Sequence, residues 1–339
     1  ASEKYSLCQT YGDIFLLGKK NGQESMWELQ FSSSPGLGSN WSKQFGVQQT
    51  GNANAATVSC LVGSSSFAPP PSFYRYFKLG DSRRIWSIAD YRVRYDTSTG
   101  DPLDLAYLKD ESISDVTDET FNIDTDDPDS LKRSMISIPG GRLRVSKYRW
   151  GYGADPSMYW AETLSFESTN CPNNVIVLRY ADILLMYAEA LNELSGTYQI
   201  ESWDGSTSYT ISRDINQMRR GMKPVRMRAG VPDFEDAVYN APDEFRKQLK
   251  HERQVEFFAE NQRFWDLRRW KDAPKEEGEQ IFGCNTLMNA DHYLDFYTPV
   301  RVPYLQTAFS RKQYFWPITY QELKRNKNMT QAPGWEDYD

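Results

Sequence analysis

Basic runs are missing from this sequence, as are closely spaced cysteine pairs, long apolar stretches and the common nucleophile and phosphate motifs. Lys and Arg number 39 against 46 Asp and Glu, a net charge of −7. Basic residues gather only between Arg246 and Lys271, where Glu and Asp are interleaved among them. No face of that kind neutralises a phosphate backbone, which argues against nucleic acid as a partner. The four cysteines, Cys8, Cys60, Cys171 and Cys284, form no CxxC pair. Such spacing argues against a zinc site and would make a sparse disulfide framework. One long-range disulfide stays open, with scattered free or buried thiols the better reading. Histidine is scarcer still. His251-Glu252 begins like an HExxH zinc helix, but position 255 is Val and His292 lies far along the chain, so no metal site is expected. No run of about eighteen apolar residues is present to span a bilayer, and no secretory signal opens the chain. Beginning at Ala1, it reads as a mature or trimmed product. The absence of a GxSxG elbow, a P-loop and GxGxxG lowers the odds of an enzyme without excluding one, and no cofactor is expected.

What is present points to a folded protein. At 339 residues, with 39% hydrophobic and 14% aromatic residues, the chain is long enough for a large core and too aromatic for disorder. The strongest local signal is RYADILLMYAEALNEL, residues 179–194. Ile183, Leu184, Tyr187, Ala188, Leu191 and Leu194 recur at three-and-four spacing and predict one apolar helical stripe. Asp182 suits the first turn and Gly196 the stop, while Ala181, Ala188 and Ala190 allow a neighbouring helix to come close. Asp214 to Gly221 predicts a shorter helix, ended by Gly221 with Pro224 beyond it, whose Ile215 and Met218 pack back as an antiparallel hairpin. Pro242 to Phe258 predicts a third, with Pro242 and acidic residues at its start and Phe245, Leu249, Val255 and Phe258 on its apolar side.

The front of the chain is less regular. Lys4 to Leu17 predicts a helix, with Leu7, Tyr11, Ile14 and Phe15 at helical spacing, and Ser25 to Phe31 alternates as a strand does. Residues 32–71 are Ser-, Gly-, Asn- and Pro-rich, the composition of a long functional or disordered loop. Ile85 to Val93 predicts a strand, and the acidic stretch from Asp96 to Ser130 a solvated excursion. Ser134 to Tyr148 suggests an extended pair around Pro139-Gly140-Gly141. Residues 149–172 set Trp150, Tyr152, Tyr159 and Trp160 among glycines and prolines, which suggests rings carried on a shaped loop.

One constellation invites a catalytic reading. Glu252 and Glu256 lie one turn apart on one helix face, and glycoside hydrolysis uses two carboxyls about 5–10 Å apart. The nearby arginines, Arg253, Arg263, Arg268 and Arg269, favour an ion-pair network instead, since they would depress both carboxyls and leave no proton donor.

Five blocks, ESMWELQFS (24–32), RYADILLMYAEALNEL (179–194), DINQMRRGM (214–222), HERQVEFFAENQRFWDLRRW (251–270) and YFWPITYQELKRNKNMTQAPGW (314–335), resemble the SusD/RagB family in sequence and order. The resemblance implies a mainly α fold of tetratricopeptide-like helix pairs with long irregular loops and a few short strands. Residues 1–339 would be a single domain, with 1–172 loop-rich and ligand-facing and 173–339 the helical scaffold and tail. It further implies a non-catalytic lipoprotein at the outer-membrane surface that binds glycan and delivers it to a SusC-like TonB-dependent transporter. Peptide-binding members and a purely structural lid are the alternatives. Family members carry a lipobox cysteine and several helices ahead of the block at 24–32. Here only the residues before Gly18 are available to represent those helices, so the front and its lipid anchor are expected to be absent from this chain.

The tryptophans divide on this basis. Trp27, Trp265, Trp270, Trp316 and Trp335 fall inside the matched blocks and are expected in the core or pinning the tail. Pyranose rings stack on flat aromatic faces, and loops on a rigid scaffold are where such faces are expected. The candidate ligand-binding residues are therefore Trp41, Tyr74, Trp86, Tyr91, Trp150, Tyr152, Tyr159 and Trp160, with Trp203 the weakest candidate beyond them.

Overall fold

The computed structural model describes residues 4–39, 49–50, 69, 73, 76–78, 80–89, 91–95, 102–107, 144–145, 147, 172–279, 282–283, 300–301 and 309–337. Tight 3-10 turns at Tyr11–Phe15 and Leu17–Lys19 precede β1 (Ser25–Leu29) and β2 (Gln49–Thr50). Then come α1 (Arg83–Ser87), β3 (Ile88–Ala89), β4 (Tyr91–Tyr95), β5 (Pro102–Tyr107), β6 (Arg144–Val145) and β7 (Val175–Arg179). The C-terminal part runs through α2 (Tyr180–Asn192), β8 (Tyr198–Glu201), β9 (Ser208–Ile211), α3 (Ile215–Arg228), α4 (Asp236–Asn240), α5 (Pro242–Glu256) and α6 (Gln262–Arg269). Strands β10 (Phe282–Gly283) and β11 (Val300–Arg301) and helix α7 (Tyr320–Arg325) complete it. The fold is mainly helical, its strands paired in small sheets: β1 with β7, β3 with β6, β8 with β9, β10 with β11, and β4 between β2 and β5.

The core is built by α2, α3 and α5. Ala181, Leu185, Ala188 and Leu191 meet Met218, Met222 and Val225 across the α2–α3 hairpin, and Phe245 and Leu249 close the third side. Each Leu, Met, Val or Phe among them contributes about 1.5–3 kcal/mol when removed from water. The buried stripe of α2 is turned by about one residue from the expected one: Leu185 is fully buried, Ile183 and Leu184 are half-buried, and Tyr187 and Ala190 are exposed. Asp214 caps α3, its side chain accepting the Gln217 N–H at 2.8 Å, a favourable start for a helix.

Helix α3 does not stop at Gly221. It continues through Pro224 to Arg228. The carbonyl of Arg220 loses its bond to the missing proline N–H, but Arg220 and Pro224 are both on the exposed side, where water can reach it. Met222 and Val225, both fully buried, hold the helix on α2 across the defect. Gly221 serves packing instead. A Cβ there would lie 2.3 Å from the Leu184 carbonyl oxygen and 3.0 Å from the Ala188 Cβ. The glycine lets two helices touch backbone to backbone.

The front departs further from expectation. Residues 4–10 form no helix. The Ser6 N–H bonds to the Gln23 carbonyl at 3.0 Å and the Cys8 N–H to Glu24 Oε2 at 2.8 Å, and these long-range bonds draw the segment out along the start of β1. Helical geometry is confined to the turn at Tyr11–Phe15, whose Tyr11, Ile14 and Phe15 pack with Trp86 and Ile176. The strand expected over 85–93 begins as helix, because Asp81 Oδ1 accepts the Arg83 N–H at 3.0 Å and starts α1; the chain becomes extended only at Ile88. Strand β1 forms as expected but with its faces reversed: Trp27 and Leu29 are exposed and Glu28 is buried. Asn174 Nδ2 and the Asn21 N–H satisfy the Glu28 carboxylate at 2.6 and 3.1 Å, which permits the inversion. Within the expected excursion of 96–130, residues 102–107 pair antiparallel with β4. The remainder of that stretch and the turn at 139–141 lie outside the described residues.

Candidate functional site

Glu252 and Glu256 lie on the buried side of α5, at the centre of a closed array of charges. Glu252 accepts Arg83 Nη1 on one oxygen and Arg226 Nη1 on the other, each at 2.5 Å. Glu256 accepts Arg83 at 3.1 Å, Arg179 at 2.7 Å and Arg228 Nη2. Beyond the helix end, Glu260 takes Lys147 Nζ at 2.6 Å and Arg179 Nε at 2.8 Å. Glu24, at the entry to β1, joins Arg179 and Arg228 at 2.8 and 2.5 Å, and Asp81 clamps Arg83 at 2.8 and 2.7 Å. Among the described residues, five cations (Arg83, Lys147, Arg179, Arg226, Arg228) thus meet five carboxylates (Glu24, Asp81, Glu252, Glu256, Glu260), and every one of these side chains is almost wholly buried. Burial alone would raise the carboxyl of Glu256, but Arg228, Arg179 and Arg83 outweigh it and hold it well below the usual range. Glu252 is held low in the same way, with burial opposed by Arg83 and Arg226. A general acid must carry a proton at working pH. This pair is ionised and fully bonded, so it knits the front of the chain to the helices and offers no acid.

The rings are distributed differently from the sequence expectation. Trp86 is 7% exposed, packed in the cluster of Tyr11 and Phe15, and a Cβ on Gly12 would meet its indole at 1.9 Å. Placed there it presents no face to a ligand. Tyr91 lies on the backbone of β4, opposite Tyr107. Trp41, Tyr74, Trp150, Tyr152, Tyr159 and Trp160 lie outside the described residues, as does His292. Of the block tryptophans, Trp270 is half-buried against the core and donates to Glu189 at 2.6 Å. Trp335 donates to the Lys312 and Phe315 carbonyls at 3.0 and 3.1 Å and pins the tail. Trp27, Trp265 and Trp316, expected in the core or tail, are exposed.

Trp203, the weakest of the sequence candidates, is the most exposed of the tryptophans among the described residues. At 98% exposure it sits between β8 and β9, a hairpin inserted between α2 and α3. Tyr198 pairs with Ile211 and Ile200 with Tyr209, so these four share one face, and Tyr198, Ile200 and Tyr209 are exposed. The turn that carries Trp203 is internally bonded. Asp204 Oδ1 accepts Ser202 Oγ at 2.7 Å, Ser206 Oγ at 2.8 Å and the Ser206 N–H at 3.1 Å. These bonds, the Ser202 hydroxyl first, lower its carboxyl to about 2. Gly205, at φ +70°, supplies the left-handed residue the turn requires. The sequence signal was Trp203-Asp204-Gly205 between two alternating runs, a hairpin pattern.

The SusD family model matches residues 161–335, just over half of the chain. The chain belongs to the SusD family. Two SusD-like proteins of Formosa agariphila align with it. P38 is 31% identical over 147 residues, covering 42% of this chain and 24% of that protein. P2 is 29% identical over 167 residues, covering 48% and 26%. The matches thus span about a quarter of each relative's length. Among solved structures, a SusD homolog from Bacteroides thetaiotaomicron superposes with a TM-score of 0.57 at 22% identity, over 98% of this chain and 57% of that one. Surface glycan-binding protein A from Bacteroides thetaiotaomicron, in complex with laminarihexaose, superposes at 0.54 with 17% identity, over 98% and 56%. These likenesses show the SusD fold, mainly α with few short strands. Among the described residues no helix is long and apolar enough to cross a membrane.

Proposed function

We propose that this chain is a non-catalytic glycan-binding protein of the outer-membrane surface, which captures oligosaccharide or polysaccharide and delivers it to a SusC-like TonB-dependent transporter. Membership of the SusD family carries this reading, since a solved structure of the same fold is a surface glycan-binding protein with laminarihexaose bound. In this reading a lipid holds the protein at the membrane, and residues 1–172 form the ligand-facing part. Trp41, Tyr74, Tyr91, Trp150, Tyr152, Tyr159 and Trp160 are its ring platforms, joined by Trp203 on its bonded turn. Stacking on flat faces supplies the apolar contact, and Asn, Arg and Asp side chains bond the hydroxyls. Sugar hydroxyls are strongly hydrated before binding, so single sites are weak.

The test is calorimetric. Replacing Trp41, Trp150 and Trp160 together with Ala is expected to abolish most binding to the recognised glycan, and Trp203→Ala to weaken it without lowering the thermal midpoint. Unchanged binding in both variants would contradict the assignment of these rings.

A further inference from the structure

A cavity of about 400 Å3 opens on the solvent side of α5, walled by that helix, by residues between Arg263 and Glu276, and by Tyr76. Its wall on α5 follows from the sequence: Asp243, Arg246, Lys247, Lys250, His251 and Gln254 recur at three-and-four spacing and share one face. The buried charge array uses the other face, through Glu252 and Glu256. None of the residues that line the cavity belongs to that array or to the ring set proposed for glycan capture.

Tyr76 supplies an aromatic surface. Its ring lies parallel to the His251 imidazole, at 7° and 5.8 Å between centroids, and remains 38% exposed. His251 hydrogen-bonds to the Tyr76 main chain, and burial lowers its pKa. The His251 imidazole is therefore neutral at pH 7 and stacked on the Tyr76 ring.

Charge in the lining is unequal. Arg246, Lys247, Lys250, Arg263 and Lys275 face Asp243, Asp272 and Glu276, five against three, in a chain of net charge −7. Three of the cations are engaged. Arg246 bonds to Asp243 at 2.5 Å and to Glu193, outside the cavity, at 2.8 Å; Lys250 bonds to Asp272 at 2.6 Å and Arg263 lies 3.5 Å from Glu276. Lys247 is 3.7 Å from Glu244, also outside the cavity, too far for a hydrogen bond. Lys275 is exposed and has no side-chain partner among the described residues. The lining thus holds one ammonium group, Lys275, without a side-chain partner among the described residues and one, Lys247, held only by a long ion pair between exposed side chains.

We infer that this cavity is a subsite for an acidic sugar, one bearing a carboxylate or a sulfate ester, with its ring against Tyr76 and its anionic group met by Lys247 and Lys275. The inference rests on the proposed glycan function and narrows it to acidic polysaccharide. A ligand pocket runs from about 300 Å3 upward, so the volume suits one or two pyranose rings. The engaged carboxylates and guanidinium groups keep lone pairs and N–H groups that can bond sugar hydroxyls. A peptide bound as an added strand would need a row of unpaired main-chain groups, and α5 presents none along its length because its backbone is bonded within the helix.

The experiment titrates the whole chain, by calorimetry at low and high salt, with laminarin as the neutral glucan, polygalacturonate as the carboxylated polymer and carrageenan as the sulfated one. Inorganic sulfate and an acidic peptide digest are separate arms. The expected result is binding to at least one acidic polymer that weakens at high salt, as exposed charge contacts do. Lys247→Gln with Lys275→Gln should weaken it about tenfold, because each exposed ion contact is individually modest, while the thermal midpoint stays unchanged. Acidic-polymer binding that ignores the double variant overturns the inference, as does binding to laminarin alone, which leaves the glycan reading standing. Sulfate ion binding as tightly as the polymers also overturns it, since the sugar would then contribute nothing. Heat from the acidic peptides alone, or silence with every polymer, overturns both readings together.

Discussion

Among the described residues, Glu256 draws together segments from both halves of the chain. Its side chain meets Arg83, Arg179 and Arg228, and its carbonyl accepts Tyr11 Oη at 2.6 Å and Lys147 Nζ at 2.9 Å. A buried ion pair is a weak source of net stability against an apolar replacement, yet removing one partner leaves the others charged and dry. Glu256→Gln is therefore expected to cost about 3–5 kcal/mol, read as a shift in the denaturant midpoint; a loss below about 1 kcal/mol would show that water reaches the array. The same residues set an acid limit. The carboxyls of Glu252, Glu256 and Glu260 are lower in the folded chain than their ordinary value of 4.5. Their contribution is fully present above that value and is lost as pH falls through the folded values beneath it. The expected profile is a thermal midpoint that declines gently from neutral pH, because the unfolded chain protonates His251 before the folded one does, and then falls more steeply below about 4.5. A midpoint that rises on acidification would contradict it. At this scale the sequence was partly legible: two carboxylates one turn apart, with arginines close by, read as an ion-pair network. The arginines that hold them are different ones, however, supplied from 169 and 77 positions away for Arg83–Glu252 and Arg179–Glu256, and no local pattern encodes such a pairing.

Among the elements, the α2–α3 hairpin shows how the same residue can be read two ways. Gly221 before Pro224 has the form of a helix stop, but packing on α2 prevails and the helix runs on. The cost of a proline in a helix interior, about 3 kcal/mol, is reduced here because the freed carbonyl faces water, and it is offset by Met222 and Val225, each contributing about 1.5–3 kcal/mol by burial. Gly221→Ala separates a contact point from an ordinary helix position. At an ordinary interior position the glycine would be improved by alanine, by up to about 1 kcal/mol. As a contact point it must push α2 away, a strain of about 1–3 kcal/mol, and net destabilisation in chemical denaturation is the expected outcome. Unchanged or higher stability would mean that the helices lie farther apart than 2.3 Å from Cβ to the Leu184 oxygen implies. Helices α2 and α5 were legible because their apolar spacing and end residues are local. The helix expected over residues 4–17 was not, because bonds to Gln23 and Glu24 outcompete it, and neither partner is within reach of a periodicity argument.

Taken as a molecule, the chain places its family-defining blocks where they hold one another: Glu24, Arg179, Glu252, Glu256 and Glu260 come from three of the five blocks and meet in one buried array. That is why the family could be read from the sequence with its blocks in order. The binding rings could be read less well. Composition distinguishes a loop from a helix, but not a ring turned inward, such as Trp86, from one turned outward, such as Trp203. That depends on a neighbour like Gly12, whose missing side chain admits the indole. If the outward rings of this SusD-family chain serve glycan capture, the chain must bind a glycan in solution. Isothermal titration against plant, host and microbial polysaccharides, with a mixed peptide digest alongside, measures that binding. Saturable heat with one glycan class is the predicted result, and heat with peptides alone, or with nothing, would contradict it.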